Sequence, residues 1–154
     1  DSETSLLDEA ISLKQYVHLQ NFRYNNRVQL NMDLPESLSS VSIPRFLIQP
    51  LVENVFLHAI SPAQAVTELE IRIKHWGYNL LIEVCDTGIG FSHQELNGIL
   101  QQKTVSNSVS SHIGLRNIQE RIHLLYGKSY GLSVSNDSHF HTIIYILLPK
   151  HGGT

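Results

Sequence analysis

The chain has 154 residues, of which 42% are hydrophobic and 16% charged, enough for one globular domain with its own core. A formal charge of −3, with no Lys/Arg cluster, excludes a general attraction for nucleic acid, and no apolar run approaches the roughly 18 residues of a membrane span. The single cysteine, Cys85, excludes an internal disulfide and points to a reducing compartment such as the cytosol. The polar start, without an initiator Met or a signal-peptide pattern, reads as a segment of a longer protein.

Leu6, Ala10, Leu13, Val17, Gln20 and Tyr24 alternate spacings of four and three, which predicts a helix with an apolar seam. Such a seam suits either pairing with another helix or packing inside the same domain. Val28, Leu30 and Met32 alternate with polar residues and predict a short strand, ended by Leu34-Pro35 and followed by a Ser-rich loop. From Pro44 through Phe46, Ile48, Leu51, Val52, Val55 and Phe56 to Ile60 the period is helical, so one long helix is expected, with Pro50 able to disturb its first turns.

After Ser61-Pro62, Leu69, Ile71, Ile73 and His75 alternate with Glu68, Glu70, Arg72 and Lys74, and Gly77-Tyr78-Asn79 turns the chain into Leu80 to Cys85. That pattern is a hairpin. Residues 91–111 are rich in Ser, Gln and Asn and predict a long mobile loop with a short helix near Gln94 to Leu100. Leu115, Ile118, Ile122 and Leu125 repeat on one helical face that stops at Gly127, and strands at 132–136 and 142–148 complete the chain. Antiparallel hairpins interleaved with three helices predict an α+β two-layer sandwich, its sheet mixed but mostly antiparallel and its helices on one face. Neither GxxxxGK[ST] nor GxGxxG occurs, so a nucleotide site here requires other chemistry.

Three segments concentrate polar groups in apolar surroundings. In RFLIQPLVENVFLH, residues 45–58, Glu53, Asn54 and His58 interrupt an apolar helix; Asn54 and His58 are four apart and suit a hydrated Mg²⁺ and a phosphate, or alternatively the capping of core backbone groups. In DTGIG, residues 86–90, Asp86 closes an apolar strand where it can accept from an exocyclic amine, and Gly88 and Gly90 permit close approach of a flat ligand; many plain turns share this string. In HIGLRNIQERIHLLYG, residues 112–127, a glycine leads an amphipathic helix whose free N–H groups suit an anion, with Arg116 and Arg121 as either added charge or solvated surface.

The order of these segments resembles the Bergerat ATP-binding fold of gyrase, the heat-shock chaperone, histidine kinases and MutL. QPLVENVFLHA and HIGLRNIQERIHLLYG are more closely similar to sensor histidine kinases of the LytS/YehU type. LKQYVHLQNFRYNNRVQ resembles the stretch that links the dimerisation helices to the catalytic domain in those proteins. The resemblance implies residues 1–26 as the end of a dimerisation or linker helix and residues 27–154 as the ATPase domain. It further implies Asn54 as a ligand of Mg²⁺, Asp86 as the acceptor of the adenine amine, and Gly88 and Gly90 as the shape of the adenine pocket. Residues 91–113 would form a lid, Gly114, Leu115 and Asn117 would line the phosphate end with Arg121 nearby, and Thr142 would support the adenine contact. Glu53 and His58 are the candidate groups acting on the transferred phosphoryl.

Departures from the family strings are Leu57 in place of Lys, His112 in place of the first glycine of the lid end, and His141 in place of the glycine before Thr142. The acceptor motif resembling NPHFLFN is absent, and none of the nine histidines fits it. The expected activity is therefore ATP-dependent phosphoryl donation to a histidine on an upstream dimerisation domain. The partners implied are that domain, a response regulator and a second copy in a homodimer, on the cytoplasmic side of a membrane sensor. Two alternatives share the scaffold: a degenerate nucleotide-sensing module and an anti-sigma-type serine kinase.

Overall fold

A computed structural model describes residues 2–90, 98 and 113–150. The predicted loop and lid at 91–113 therefore fall outside the described residues, apart from Gly98 and the backbone of Ile113.

Alternation of apolar and polar residues dictates the sheet. In β4 (Thr67–Trp76), Leu69, Ile71 and Ile73 are buried while their neighbours are half-exposed, so a one-residue slip in register would bring charges into the core. A two-residue turn at Gly77 (φ +61°) and Tyr78 leads into β5 (Asn79–Asp86), giving the predicted hairpin. The remaining strands of the sheet are β2 (Val28–Asp33), β6 (Gly131–Ser135) and β7 (Thr142–Pro149), in the order β2-β4-β5-β7-β6. Only β2 and β4 run parallel, because the connection between them carries a helix; the other pairs are antiparallel. A separate two-stranded ribbon pairs β1 (Glu3–Ser5) with β3 (Ser42–Pro44).

One face of the sheet holds the core. Ile71, Ile82, Ile144 and Ile146 meet Leu6, Leu13 and Val17 of α1 (Leu6–Arg23), Leu51 and Val52 of α2 (Gln49–Asn54), and Leu115, Ile118 and Ile122 of α3 (Ile113–Tyr126) in a single apolar cluster. The apolar seam of α1 thus packs inside this domain, with Tyr16 and Tyr24 set against the ring of Phe56. The chain enters α1 through the extended β1 and a Ser5 cap whose side chain accepts from the Asp8 amide. The opposite face carries ion pairs of Arg72 with Glu70 and Glu83 and of Lys74 with Glu83, plus a small cluster of Cys85, Phe140 and Ile143.

Two expectations require correction. The helix predicted from Pro44 to Ile60 is shorter and changes pitch: Pro44 ends β3, α2 starts at Gln49 with Pro50 in its first turn, and Val55–Ala59 forms a π-turn. Phe46 in a left-handed conformation (φ +62°) prevents the helix from starting earlier. Leu125, expected on the buried stripe of α3, is 55% exposed because the last turn of that helix runs past the core.

Candidate functional site

The end of β5 places Asp86 directly across from Thr142, the first residue of β7. Asp86, Thr142 and Asn54, the last residue of α2, line one narrow pit floored by Val84, Leu115 and Ile144. Its volume of about 10 Å³ is room for about one water molecule.

Two polar atoms in this pit, the Asn54 Nδ2 and the Thr142 Oγ1, are buried without a hydrogen-bond partner among the described residues. Buried orphans of this kind are rare in folded proteins, so two of them beside a carboxyl point to a ligand that supplies the partners. Asp86 is 6% exposed. Its burial pushes the carboxyl up to about 6, against the opposing pull of the Gly88 amide and the charge of His141. One carboxyl oxygen accepts from Gly88 N at 2.9 Å, which leaves acceptor capacity for an incoming donor.

The turn after Asp86 is fixed by backbone contact with the helix layer. Ile89 N donates to Ala59 O at 2.9 Å, and a Cβ on residue 88 would lie 2.2 Å from that same oxygen, so only glycine fits there. Gly90 takes φ +76° and lies close to the backbone of His141. His141 Nδ1 sits 2.7 Å from Gly88 O and tethers the turn to β7. Thr87 closes the other side: its Oγ1 accepts from Glu68 N at 2.9 Å while its amide donates to Glu68 O.

Residues 43–152 match the family described as histidine kinase-, DNA gyrase B- and HSP90-like ATPase. The chain belongs to this ATPase family. The sensor histidine kinase YesM of Bacillus subtilis is 30% identical over 145 residues, covering 94% of this chain and 24% of that protein. The sensor protein kinase HptS of Staphylococcus aureus is 28% identical over 156 residues, covering 99% of the chain and 29% of the relative. The chain thus spans between about a quarter and a third of the length of these relatives. Among solved structures, the nucleotide-free catalytic domain of histidine kinase ThkA superposes with a TM-score of 0.65 at 13% identity, covering 96% of this chain and 95% of that one. Histidine kinase AdeS of Acinetobacter baumannii gives 0.63 at 12% identity, covering 97% and 68%. At these identities the likeness establishes the fold, the ATP-binding α+β sandwich anticipated from the order of motifs.

Within this ATPase domain the expected site residues divide into two groups. Asn54, Asp86, Leu115 and Thr142 converge on the pit, Gly88 and Gly90 shape the adjoining turn, and Gly114 lies against Pro50 of α2. Asn117 and Arg121 do not reach the pit. They line a separate cavity of about 500 Å³ with Pro44, Leu124 and Leu125, and Arg121 donates to Arg45 O at 2.7 Å. Alternate faces of α3 explain the split, because the buried Leu115 and the exposed Asn117 are two residues apart on a helix.

Glu53 is half-buried and accepts from Gln49 Nε2 at 3.2 Å, one helical turn earlier and outside the pit lining. His58 is half-buried and also outside that lining: the widened turn from Val55 rotates it away from the direction an unbroken α-helix would give. Leu57, where the resembling strings have Lys, is 63% exposed. Sequence reasoning missed the Ala59 carbonyl, since main-chain acceptors leave no residue-type signal. It also treated His141 only as a departure, whereas the ring forms a tether.

Proposed function

We propose that the chain is the ATP-binding catalytic domain of a two-component sensor histidine kinase, donating the γ-phosphoryl of ATP to a histidine on an upstream dimerisation domain. The observation that carries this reading is the convergence of the buried Asp86 carboxyl with the unpartnered Asn54 Nδ2 and Thr142 Oγ1 in one pit of an ATPase-family domain. Asp86 accepts a hydrogen bond from the exocyclic amine of adenine, and Thr142 supports that contact from the neighbouring strand. Gly88 and Gly90 keep the turn low enough for a flat base to approach. Leu115 and Gly114 begin the phosphate end with the amides at the start of α3.

Mg²⁺ fits this residue set. Among the described residues no group of three His, Cys, Asp or Glu side chains forms a metal cage. A cation that retains water and phosphate oxygens asks the protein for only one or two oxygens, here the side-chain oxygen of Asn54. When bound it neutralises charge on the phosphate oxygens. The protein's own contribution is positional: Asp86 and Thr142 hold the base, and Asn54 and the start of α3 hold the phosphate end. The partners in this reading are the dimerisation domain, a second copy of the full protein and a response regulator. The domain works on the cytoplasmic side of a membrane sensor; no helix among the described residues is long and apolar enough to cross a bilayer.

Calorimetric titration with Mg·ADP and Mg·ATP tests the assignment. Wild-type protein should bind in the micromolar to millimolar range, and Asp86→Ala should lose about tenfold or more, the value of a hydrogen bond to a charged acceptor. Equal affinity in the two proteins would remove Asp86 from the site and the reading with it.

A further inference from the structure

The turn that launches α2 has an unusual backbone. Phe46 is a bulky residue at φ +62°, its side chain is 59% exposed, and so the ring does not anchor the conformation in the core. Two residues later Ile48 is right-handed at φ −87°, ψ −32°, and no side chain from its own segment caps the helix there. Backbone N–H groups exposed at such a turn favour negative charge beside them.

Glu9 of α1 supplies that charge. Its Oε2 accepts from the Ile48 amide at 3.5 Å, the Phe46 and Leu47 amides lie near enough to act on the same carboxylate, and Arg45 adds positive charge nearby. Glu9 is 4% exposed, a costly place for a carboxylate unless the surroundings compensate for lost water. Burial raises its pKa above the ordinary value while the three amides and Arg45 oppose that rise. On the other side of the same turn Arg121 donates to Arg45 O. The segment that leads into Asn54 is therefore gripped from α1 and from α3. The grip from α1 originates outside residues 43–152, the span matching the ATPase family.

We infer that Glu9 is a positioning residue for the nucleotide site: by holding the Phe46–Ile48 turn it sets the seat of α2, and through it the place of Asn54 relative to Asp86 and Thr142. The inference rests on the reading of the pit as a nucleotide site. It divides the site into a sheet-borne half, Asp86 and Thr142, which is independent of Glu9, and a helix-borne half, Asn54, which depends on it. Displacement of α1 relative to the sheet is then felt first by the cation-binding half.

That division separates positioning from simple stabilisation. ADP binding to the whole chain is measured with and without Mg²⁺, and the ratio of the two affinities is compared between wild type and Glu9→Gln. The amide of Gln keeps the size but removes the negative charge beside the Ile48 N–H donor. Glu9→Gln should lower the Mg²⁺-dependent gain about fivefold, the value of about one hydrogen bond, while Mg²⁺-free ADP affinity changes by less than about twofold. In an Asn54→Ala background the Glu9→Gln effect on the ratio should vanish, because the coupled partner is gone.

Glu9→Gln that only lowers the melting temperature, or that weakens binding equally with and without Mg²⁺, overturns the inference. If Glu9→Gln does not fold, the same ratio is read in Glu9→Asp, which keeps the buried charge but withdraws it from the Ile48 amide by one methylene. Wild-type protein that binds no nucleotide would overturn the nucleotide reading and this inference together. Wild-type binding with an unchanged ratio in Glu9→Gln overturns the role of Glu9 alone.

Discussion

Replacing Asp86 with Asn should make the domain more stable and a poorer nucleotide binder at the same time. Burial raises the Asp86 carboxyl from its ordinary 3.8 to about 6. Between those values the folded protein holds a proton that the unfolded chain has released, so this residue lowers stability as pH rises through the window. Above about pH 6 the full cost of the buried charge is present; at about 1.4 kcal/mol per pH unit of difference, it amounts to about 3 kcal/mol. With 6% of the residue exposed, solvent screens little of that cost.

Asn carries no charge and its Oδ1 can still accept from the Gly88 amide, a bond of 2.9 Å in the wild type. At pH 7.5 Asp86→Asn should therefore gain about 1–3 kcal/mol and melt several degrees higher. Below about pH 4 the gain should vanish, because Asp86 is then protonated in both folded and unfolded protein. Nucleotide affinity should fall about tenfold or more with the loss of the charged acceptor. Wild-type affinity should weaken as pH drops through about 6. Thermal unfolding across pH 4–8, paired with calorimetry, reads both effects. A variant less stable than wild type at pH 7.5, or a stability difference independent of pH, would refute burial as the source of the perturbation.

Gly88→Ala should cost about 1–3 kcal/mol and abolish measurable nucleotide binding, because its Cβ meets the Ala59 carbonyl at 2.2 Å and the turn must move. Unchanged melting and binding would show that the turn does not need its approach to the π-turn. His141→Ala removes the tether to Gly88 O and should weaken nucleotide binding by about threefold to tenfold, with His141→Asn recovering part of the loss; identical affinities in all three proteins would dismiss the tether. The Cys85 thiol, fully buried and pushed up to about 12, should resist a thiol reagent at pH 8 until the protein unfolds, and rapid labelling of the native protein would contradict that burial. Incubation with radiolabelled ATP should leave all nine histidines without acid-labile phosphate, since none lies in a sequence resembling the acceptor motif, and stoichiometric label on any of them would count against a donor domain.

Periodicity made most of the fold legible. Leu69, Ile71 and Ile73 alternate with polar residues over a length that only a half-buried strand accommodates, and Gly77-Tyr78 lies where the pattern reverses. Leu115, Ile118 and Ile122 recur at helical spacing, and Gly127, at φ +91°, follows the end of their helix. Asp86 was recognisable because a carboxylate closing an apolar strand is chemically out of place. These features depend on neighbours a few residues away, which is the range over which backbone geometry imposes its repeat.

The meetings between segments were decided elsewhere. Apolar positions from Pro44 to Ile60 keep a helical period, yet the left-handed Phe46 and the π-turn at Val55–Ala59 interrupt the helix. Nothing local marks Phe46 for φ +62°; that conformation is accompanied by the contact of Glu9 with the amide of Ile48, 39 positions away. Asn117 and Arg121 share a motif with Leu115 but face a different cavity. Sequence thus determined which faces are apolar and which polar residues are anomalous. Packing of helices onto the sheet determined which anomalous residues meet, because a buried polar group takes its partners from whatever backbone the core brings within hydrogen-bond reach.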